Sequence, residues 1–289
     1  MPDWLINFPF EANINLGAID RAIRDFSMQF SAFFDAIRSG LLSSVIMVNT
    51  ILDHFPWWLL MILVFIRGWK ISGRVSRGIL YAAILSFIGF VGLWDSMNET
   101  LAIVIVSVFL SIIFGFPIGI LIAWSNRANR ILLPVLDTMQ TMPVFVYLIP
   151  AIVFFGLGRA PAVIATTIYA IVPLIRLTSL GIRQIDTEVV EAAKAFGSTA
   201  MQALVKVQIP QAMPTIMTGL NQTLMMAMAM VVTCSMVGAS GLGMEVLIGV
   251  TRIEMGRGIV AGTCVVIVAI LLDRTMQGKV KGGKASQNE

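Results

Sequence analysis

The chain is poor in the residues that polar chemistry usually needs. Among 289 residues there is one histidine and there are two cysteines, and charged side chains make up 12% of the total, against about a quarter in an ordinary soluble domain. Cys234 and Cys264 sit in separate apolar runs, with no CxxC pair and no histidine close by, so a metal centre and a disulfide framework are excluded and both read as core packing. The lone His54 precedes Phe55 and Pro56 at the edge of an apolar run and reads as a wetted flank, not as a catalytic base. The formal charge of +4 does not point to nucleic acid, because the basic residues fall in short clusters beside apolar runs. No cleavable signal peptide is visible: the first long apolar run begins near Leu41, so the first true span is expected to serve as the targeting signal.

What the chain has in excess is apolar surface. At 57% hydrophobic residues it reads as an all-α integral membrane protein. Its length accommodates several spans of about 20 residues, each about 30 Å of helix, and leaves too little for a nucleotide-binding domain. From 18 to 52, apolar side chains recur at the three-and-four spacing from Ile19 to Leu52, with Asp20, Arg21, Arg24, Asp25, Asp35 and Arg38 opposite. That pattern predicts one long amphipathic helix lying along the bilayer surface, with packing against neighbouring spans as the alternative.

Seven spans are then expected, with the amino end outside and the carboxyl end in the cytoplasm. Trp57 to about Gly68 is short, or else kinked at Pro56 from a start nearer Leu41, and it leads into Arg67, Lys70, Arg74 and Arg77, which the positive-inside rule places in the cytoplasm. Ile79 to Leu93 returns outward to a loop marked by Asp95 and Glu99. The third span, 101–124, ends before Arg127 and Arg130. Ile131 to Leu157 goes out, Arg159 occupies a brief external turn, and 161–177 comes back in. Thr215 to Gly238 rises, 239–257 forms an external loop, and Gly258 to Leu272 descends to a polar tail. The expected division is 1–95 as a peripheral anchor with the amphipathic helix, 96–276 as a compact transport block, and 277–289 as a cytoplasmic tail.

One charged stretch interrupts this pattern, DTEVVEAAKAFGSTAMQALVKVQIP at 186–210. Helix formers dominate Glu188 to Phe196, Gly197 breaks the run, a second helical run spans Ser198 to Val207, and Pro210 is expected to stop it. Val190, Ala193 and Phe196 share an apolar face, with Glu188, Glu191 and Lys194 on or beside the polar one. Such an element is built to dock sideways into a groove, although an amphipathic loop resting on lipid has the same composition. The spacing Glu191, Ala192, Ala193, three residues, Gly197, nine residues, then Val207, Gln208, Ile209 and Pro210 resembles the EAA loop of ABC importer permeases.

The resemblance implies a type I ABC importer transmembrane domain whose loop acts as a coupling helix in a cleft of a cytoplasmic ATPase. It implies two ATPase subunits, a second copy of this chain, and a separate extracytoplasmic binding protein, all at the bacterial inner membrane. ATP and magnesium would be held by the ATPase, with no cofactor in this chain. Glu191, Ala192, Ala193, Gly197, Ile209 and Pro210 are the implied coupling residues, the alanines for close packing and the glycine for the turn. MQTMPVFVYLIP, PLIRLTSLGIRQI, AMPTIMTGLNQTLMMAMAMVV and GASGLGMEVLIGVTRIEMGRGIVAG resemble, more narrowly, permeases of importers for glycine betaine, proline betaine and related quaternary amines, over about 101–273. Choline, carnitine and trimethylamine N-oxide are the related cargoes. Gly241, Leu242 and Gly243 are candidates for shaping an external turn near the binding protein, or simply for a tight turn.

Candidates for the path come from polar residues inside spans. Ile131 to Leu157 holds Pro134, Pro143 and Pro150 with Asp137, Gln140, Thr141 and Tyr147, and backbone broken by proline must face protein or water. Asp137 either meets a basic residue near the cytoplasmic end or contacts the passing solute. Asn221, Gln222 and Thr223 either bond across helices or line a cavity. The methionines from Met213 to Met236 either fill core or form an adaptable surface. Trp57, Trp58, Trp69, Trp94 and Trp124 fall at expected span ends, so no aromatic cage for a quaternary ammonium is evident within the core and selection is expected in the binding protein. The rival function is an ion-coupled secondary transporter or channel without an ATPase. Such proteins place ionisable residues at mid-span, where this chain has little beyond Asp137. A membrane protein with a structural or insertion-assisting role is a third reading, favoured if the loop is dispensable.

Overall fold

A computed structural model describes residues 15–276; Trp4 and the expected tail at 277–289 lie outside the described residues. The described chain forms α1 (Leu16–Gln29), α2 (Ser31–His54), α3 (Trp57–Ser72), α4 (Val75–Phe90), α5 (Trp94–Trp124), α6 (Asn126–Thr141), α7 (Val144–Phe155) and α8 (Arg159–Arg183). There follow α9 (Thr187–Ala195), α10 (Ala200–Ala203), α11 (Ile209–Cys234), α12 (Leu242–Thr251) and α13 (Met255–Met276).

Three long helices, α5, α8 and α11, make the core, and their small residues set how closely they pack. Between parallel α5 and α8 the same offset recurs: the Ser107 hydroxyl donates to the Val163 carbonyl at 3.4 Å and the Ser111 hydroxyl to the Thr167 carbonyl at 3.5 Å. Farther along, Gly115 faces Ile171 and Gly119 faces Thr178. A Cβ on Gly119 would stand 2.6 Å from that of Thr178, so backbone meets side chain with no room between them. Antiparallel α11 closes on α8 in the same way, Gly219 lying against Leu177 and the Pro173 carbonyl, and Gly181 against Thr215. Cys234 and Cys264 are buried and unbridged. Met228 and Met230 are buried in this core while Met225 and Met236 are exposed, so the methionine run serves both surfaces.

Four sequence expectations are revised. The single surface helix over 18–52 is two helices broken at Phe30. All the charges of 18–52 fall at or before Arg38; the later part of α2 is apolar enough for α2 to count as a candidate span, and it packs on α5. A periodicity averaged across both helices hid that change of character.

The expected span over 131–157 bends by 95° between α6 and α7. Pro143 sits at the elbow, where it forces Met142 into an extended conformation with ψ of 134°. The external loop over 239–257 contains α12, held against α13 by the close approach of Gly249 to Gly258. Pro210 does not stop its helix. The Ile209 amide donates to the Leu204 carbonyl five residues back, making a π-turn over Leu204–Gln208, and Pro210 then opens α11, where a missing N–H costs nothing.

Among the described residues five helices are long and apolar enough to cross a bilayer, α2, α5, α8, the run Ala200–Val237 and α13, or six with the bent α6–α7 pair. Against the seven expected spans, α2 is added. The α3–α4 pair is a hairpin of two 16-residue helices, each about 24 Å long and short of a hydrocarbon core of about 30 Å.

Candidate coupling arm and transport path

The 186–210 stretch divides into a free part and a welded part. The Asp186 carboxylate accepts from the Glu188 amide at 3.0 Å and starts α9. At its far end Gly197 takes φ of +85°, the left-handed region, and the Ser198 amide reaches back to the Ala193 carbonyl at 3.0 Å. Thr199 and Gln202 then form a reciprocal capping box that opens α10. No residue of α9 is buried, and Phe196 is 92% exposed. By contrast Ala203 and Leu204, a few residues on, are buried, and Leu204 joins Ile182, Ala212 and Ile216 in a cluster that belongs to the bundle.

The arm is rooted at the Trp124 end of α5. Arg183, the last residue of α8, donates to the Ile122 carbonyl at 2.7 Å and to the Asn126 side-chain oxygen at 3.1 Å, fixing the direction in which the chain enters α9. Of the six residues named for coupling, Glu191, Ala192 and Gly197 are exposed and Ala193 is half-buried. Ile209 and Pro210 belong instead to the root, Ile209 packed on the buried cluster and Pro210 exposed at the start of α11. The predicted apolar face is split: Val190 and Ala193 are half-buried, while Phe196 points away from the chain's own core.

The path candidates fall into two groups that the structure does not bring together. Asp137, Gln140, Thr141 and Tyr147 surround the α6–α7 elbow. Asp137 forms an ion pair with Arg176 of α8, tying the amphipathic helix α6 to the core. Thr141 donates to the Thr138 carbonyl at 3.0 Å, so its hydroxyl is spent within the helix, and Gln140 is exposed. Across the bend the buried Tyr147 donates its hydroxyl to the Met139 carbonyl and meets Tyr169 edge to face, with ring centroids 6.3 Å apart. Tyr147 therefore braces the elbow from inside. Asn221 belongs elsewhere, its amide donating to the Asp273 carboxylate of α13 at 2.7 Å, while Gln222 is exposed and Thr223 is fully buried.

Sequence reasoning missed the polar latch at the opposite end of the bundle. Arg159 pairs with Glu99 at the start of α5 and donates to the Ser240 hydroxyl at 2.9 Å. The Leu242 amide donates to the Thr100 hydroxyl at 2.8 Å. Gly241 has φ of +116° there, and a Cβ on it would lie 2.5 Å from that same hydroxyl. The 238–241 turn is thus clamped between the first turns of α5 and α8. Glu99, Arg159 and the GLG motif were each visible as features of external turns; nothing in their spacing said that they meet.

Comparison with known proteins agrees with this architecture. Residues 115–278 match the family model described as binding-protein-dependent transport system inner membrane component. The glycine betaine transport system permease protein OpuAB of Bacillus subtilis is 48% identical over 91% of this chain and 93% of its own length. The glycine betaine/carnitine transport permease protein GbuB of Listeria monocytogenes is 45% identical over 92% of this chain and 95% of its own. Among solved structures, the inward-facing MetNI methionine ABC transporter superposes with a TM-score of 0.56 at 25% identity, covering 64% of this chain and 92% of that one. A family match over more than half the chain, joined to relatives of this identity along nearly all of it, makes the protein a member of the binding-protein-dependent transport system inner membrane components, the membrane-spanning permease subunits of ABC importers.

Proposed function

We propose that the chain forms the translocation path of an ATP-driven importer for glycine betaine or a related quaternary or methylated amine, and that the ATPase docks on residues 186–210. Two copies would enclose the path, two ATPase subunits would seat on the two α9 arms, and a binding protein would deliver the solute at the opposite end. ATP and magnesium belong to the ATPase on this reading, and the chain itself catalyses nothing. The inner membrane, with the arm on the cytoplasmic side, is the location that follows.

The observation that carries this is the division within the 186–210 stretch. A nine-residue helix has no buried residue and is followed by a phenylalanine that is almost fully exposed, yet it is anchored through Leu204 to the core helices that would have to move. The relatives' names, glycine betaine and carnitine among them, support the solute class. Within the transport block, Asp137 is paired with Arg176 and Asp273 accepts from Asn221, so neither carboxylate stands bare for ion coupling.

The test is uptake of radiolabelled glycine betaine into proteoliposomes holding the complete complex, with Gly197 replaced by leucine. Nothing in the chain lies within 4 Å of a Cβ at Gly197, so the permease should still fold and reach the membrane. The left-handed turn is lost with the substitution, and ATP-dependent uptake should fall to background. Undiminished uptake would remove the coupling role, and uptake without ATP on an ion gradient would remove the importer reading.

A further inference from the structure

Between the α2–α3 turn and the end of α4 lies a cavity of about 620 Å³, within the range of small-molecule sites. Four aromatic rings, Phe55, Trp57, Phe90 and Trp94, line it together with the carboxylate of Asp53, and no lysine, arginine or histidine does. It opens near the Trp94 end of α5, the end opposite the coupling arm, and shares no residue with the α6–α7 elbow.

The carboxylate is held in place without being neutralised. One Asp53 oxygen accepts from the Asn98 amide at 2.9 Å and the other from the Asn49 amide at 2.8 Å. Both donors are uncharged, and none of the ion pairs among the described residues includes Asp53. Asn98 is 1% exposed, and the carbonyl oxygens of both asparagines are buried without a partner. Two unsatisfied carbonyls are an unusual cost, and here they accompany a fixed, uncompensated negative charge. The rings are equally unspent. Phe26, Phe34, Phe154 and Phe155 pair with one another, stacked or edge to face, whereas the four rings of the cavity pair with no other ring among the described residues. Trp94 lies across the bare backbone of Gly89, where a Cβ would come 3.6 Å from the ring.

Ring faces carry negative quadrupole charge, and a carboxylate adds a full charge to the same space. Together they offer an organic cation π-faces and an ion-pair partner, while repelling anions and giving a hydrated metal ion only one carboxylate. We propose that this cavity binds an alkylated ammonium group, at a site separate from the transport path. The group could arrive on a free solute or on the headgroup of a choline lipid.

The test uses the full-length permease with its ATPase and without the binding protein, in phosphatidylglycerol nanodiscs, titrated calorimetrically with tetramethylammonium chloride. Saturable binding is expected. Asp53→Asn should weaken it about tenfold, and Trp57→Leu about twofold to fivefold, the span of one lost exposed cation–π contact. Gly89→Leu, which fills the cavity from an exposed position, should abolish it while elution and melting temperature stay unchanged. Repetition in nanodiscs containing phosphatidylcholine separates the sources. Weaker tetramethylammonium binding, with phosphatidylcholine retained by wild type but not by Asp53→Asn, assigns the lipid; unchanged affinity with no retained lipid assigns the solute. Absence of saturable binding, or binding that survives all three substitutions, overturns the proposal. The measurement is of equilibrium binding without ATP, so failed uptake in the coupling experiment would leave its outcome standing.

Discussion

The α5–α8–α11 core and the α9 arm are built from the same small residues to opposite ends. In the core, glycine, alanine and serine remove side-chain bulk so that backbones touch, and the polar groups they carry are spent on neighbouring carbonyls. In the arm, Ala192, Ala193 and Ala195 remove bulk from a helix with no buried residue, and nothing lies within 4 Å of a Cβ at Gly197 just beyond it. Small residues thus mark a close approach in both regions. In the core both surfaces belong to this polypeptide, and in the arm, on the proposed reading, one of them would belong to the ATPase. Stability should therefore be sensitive to bulk in the core, and function without stability should be sensitive to it in the arm.

Adding bulk to the core is the harshest test of that contrast. Gly119→Leu would set its Cβ 2.6 Å from Thr178 and 3.0 Å from the Ile175 carbonyl. Overpacking of this kind costs about 1–3 kcal/mol, and more when backbone is the obstacle. Loss of the monodisperse peak in fluorescence-detected size-exclusion chromatography is the expected result; a normal peak would show that the interface gives more readily than its geometry implies. Gly249→Ala repeats the test at the α12–α13 hairpin, where the added carbon would meet the Gly258 amide nitrogen at 2.5 Å. A drop in melting temperature with partial retention of the peak is expected there.

The arm should behave in the reverse manner. Phe196 is 92% exposed, so Phe196→Ala should change stability by less than about 0.5 kcal/mol. Its expected effect is a several-fold loss of ATP-driven uptake, with the melting temperature of the isolated permease unmoved. Thr199→Ala removes the capping box at the joint between arm and root, worth about 1 kcal/mol. A small loss of stability together with a partial loss of uptake would place the joint between the two regimes.

The sequence carried the core and the arm unequally. Apolar runs around α5, α8, α11 and α13 were long enough to read as spans, and the helix formers on either side of Gly197 disclosed a helix, a turn and a second helical run. What periodicity could not disclose was where a regular pattern changes hands. Phe30 is neither proline nor glycine, so the break between α1 and α2 had no local signal, and surface character read from Asp20 to Arg38 was extended over residues that cross on α5. Pro210 had the strongest local signal and misled, because a π-turn accommodates a missing N–H as well as a helix stop does. Pro143 was read as needing a protein or water environment, but the size of the bend depends on what α7 packs against beyond it. The Arg159–Glu99–Ser240 latch and the Asp53 cavity join residues far apart in the chain, and charge patterning along one dimension does not report such meetings.

The Asp137–Arg176 pair has the smallest expected effect and separates the two regimes most finely. It ties α6 to the core helix α8 but sits at the boundary, with 61% of the aspartate side chain exposed and 32% of the arginine. Exposed pairs contribute about 0–1 kcal/mol, so Asp137→Asn should lower the melting temperature only slightly. Removing one partner also strands the other, and the half-covered arginine is the costlier one to strand. The double variant Asp137→Asn with Arg176→Gln should therefore melt at or above the temperature of Asp137→Asn alone, giving a coupling energy that a double-mutant cycle reads directly. Additive losses in the cycle would mean that the two side chains act independently. In that case α6 would be held by Leu132, Leu136 and Met139 against Ile122 and Ile171 without electrostatic help, and the elbow would belong wholly to the packed core.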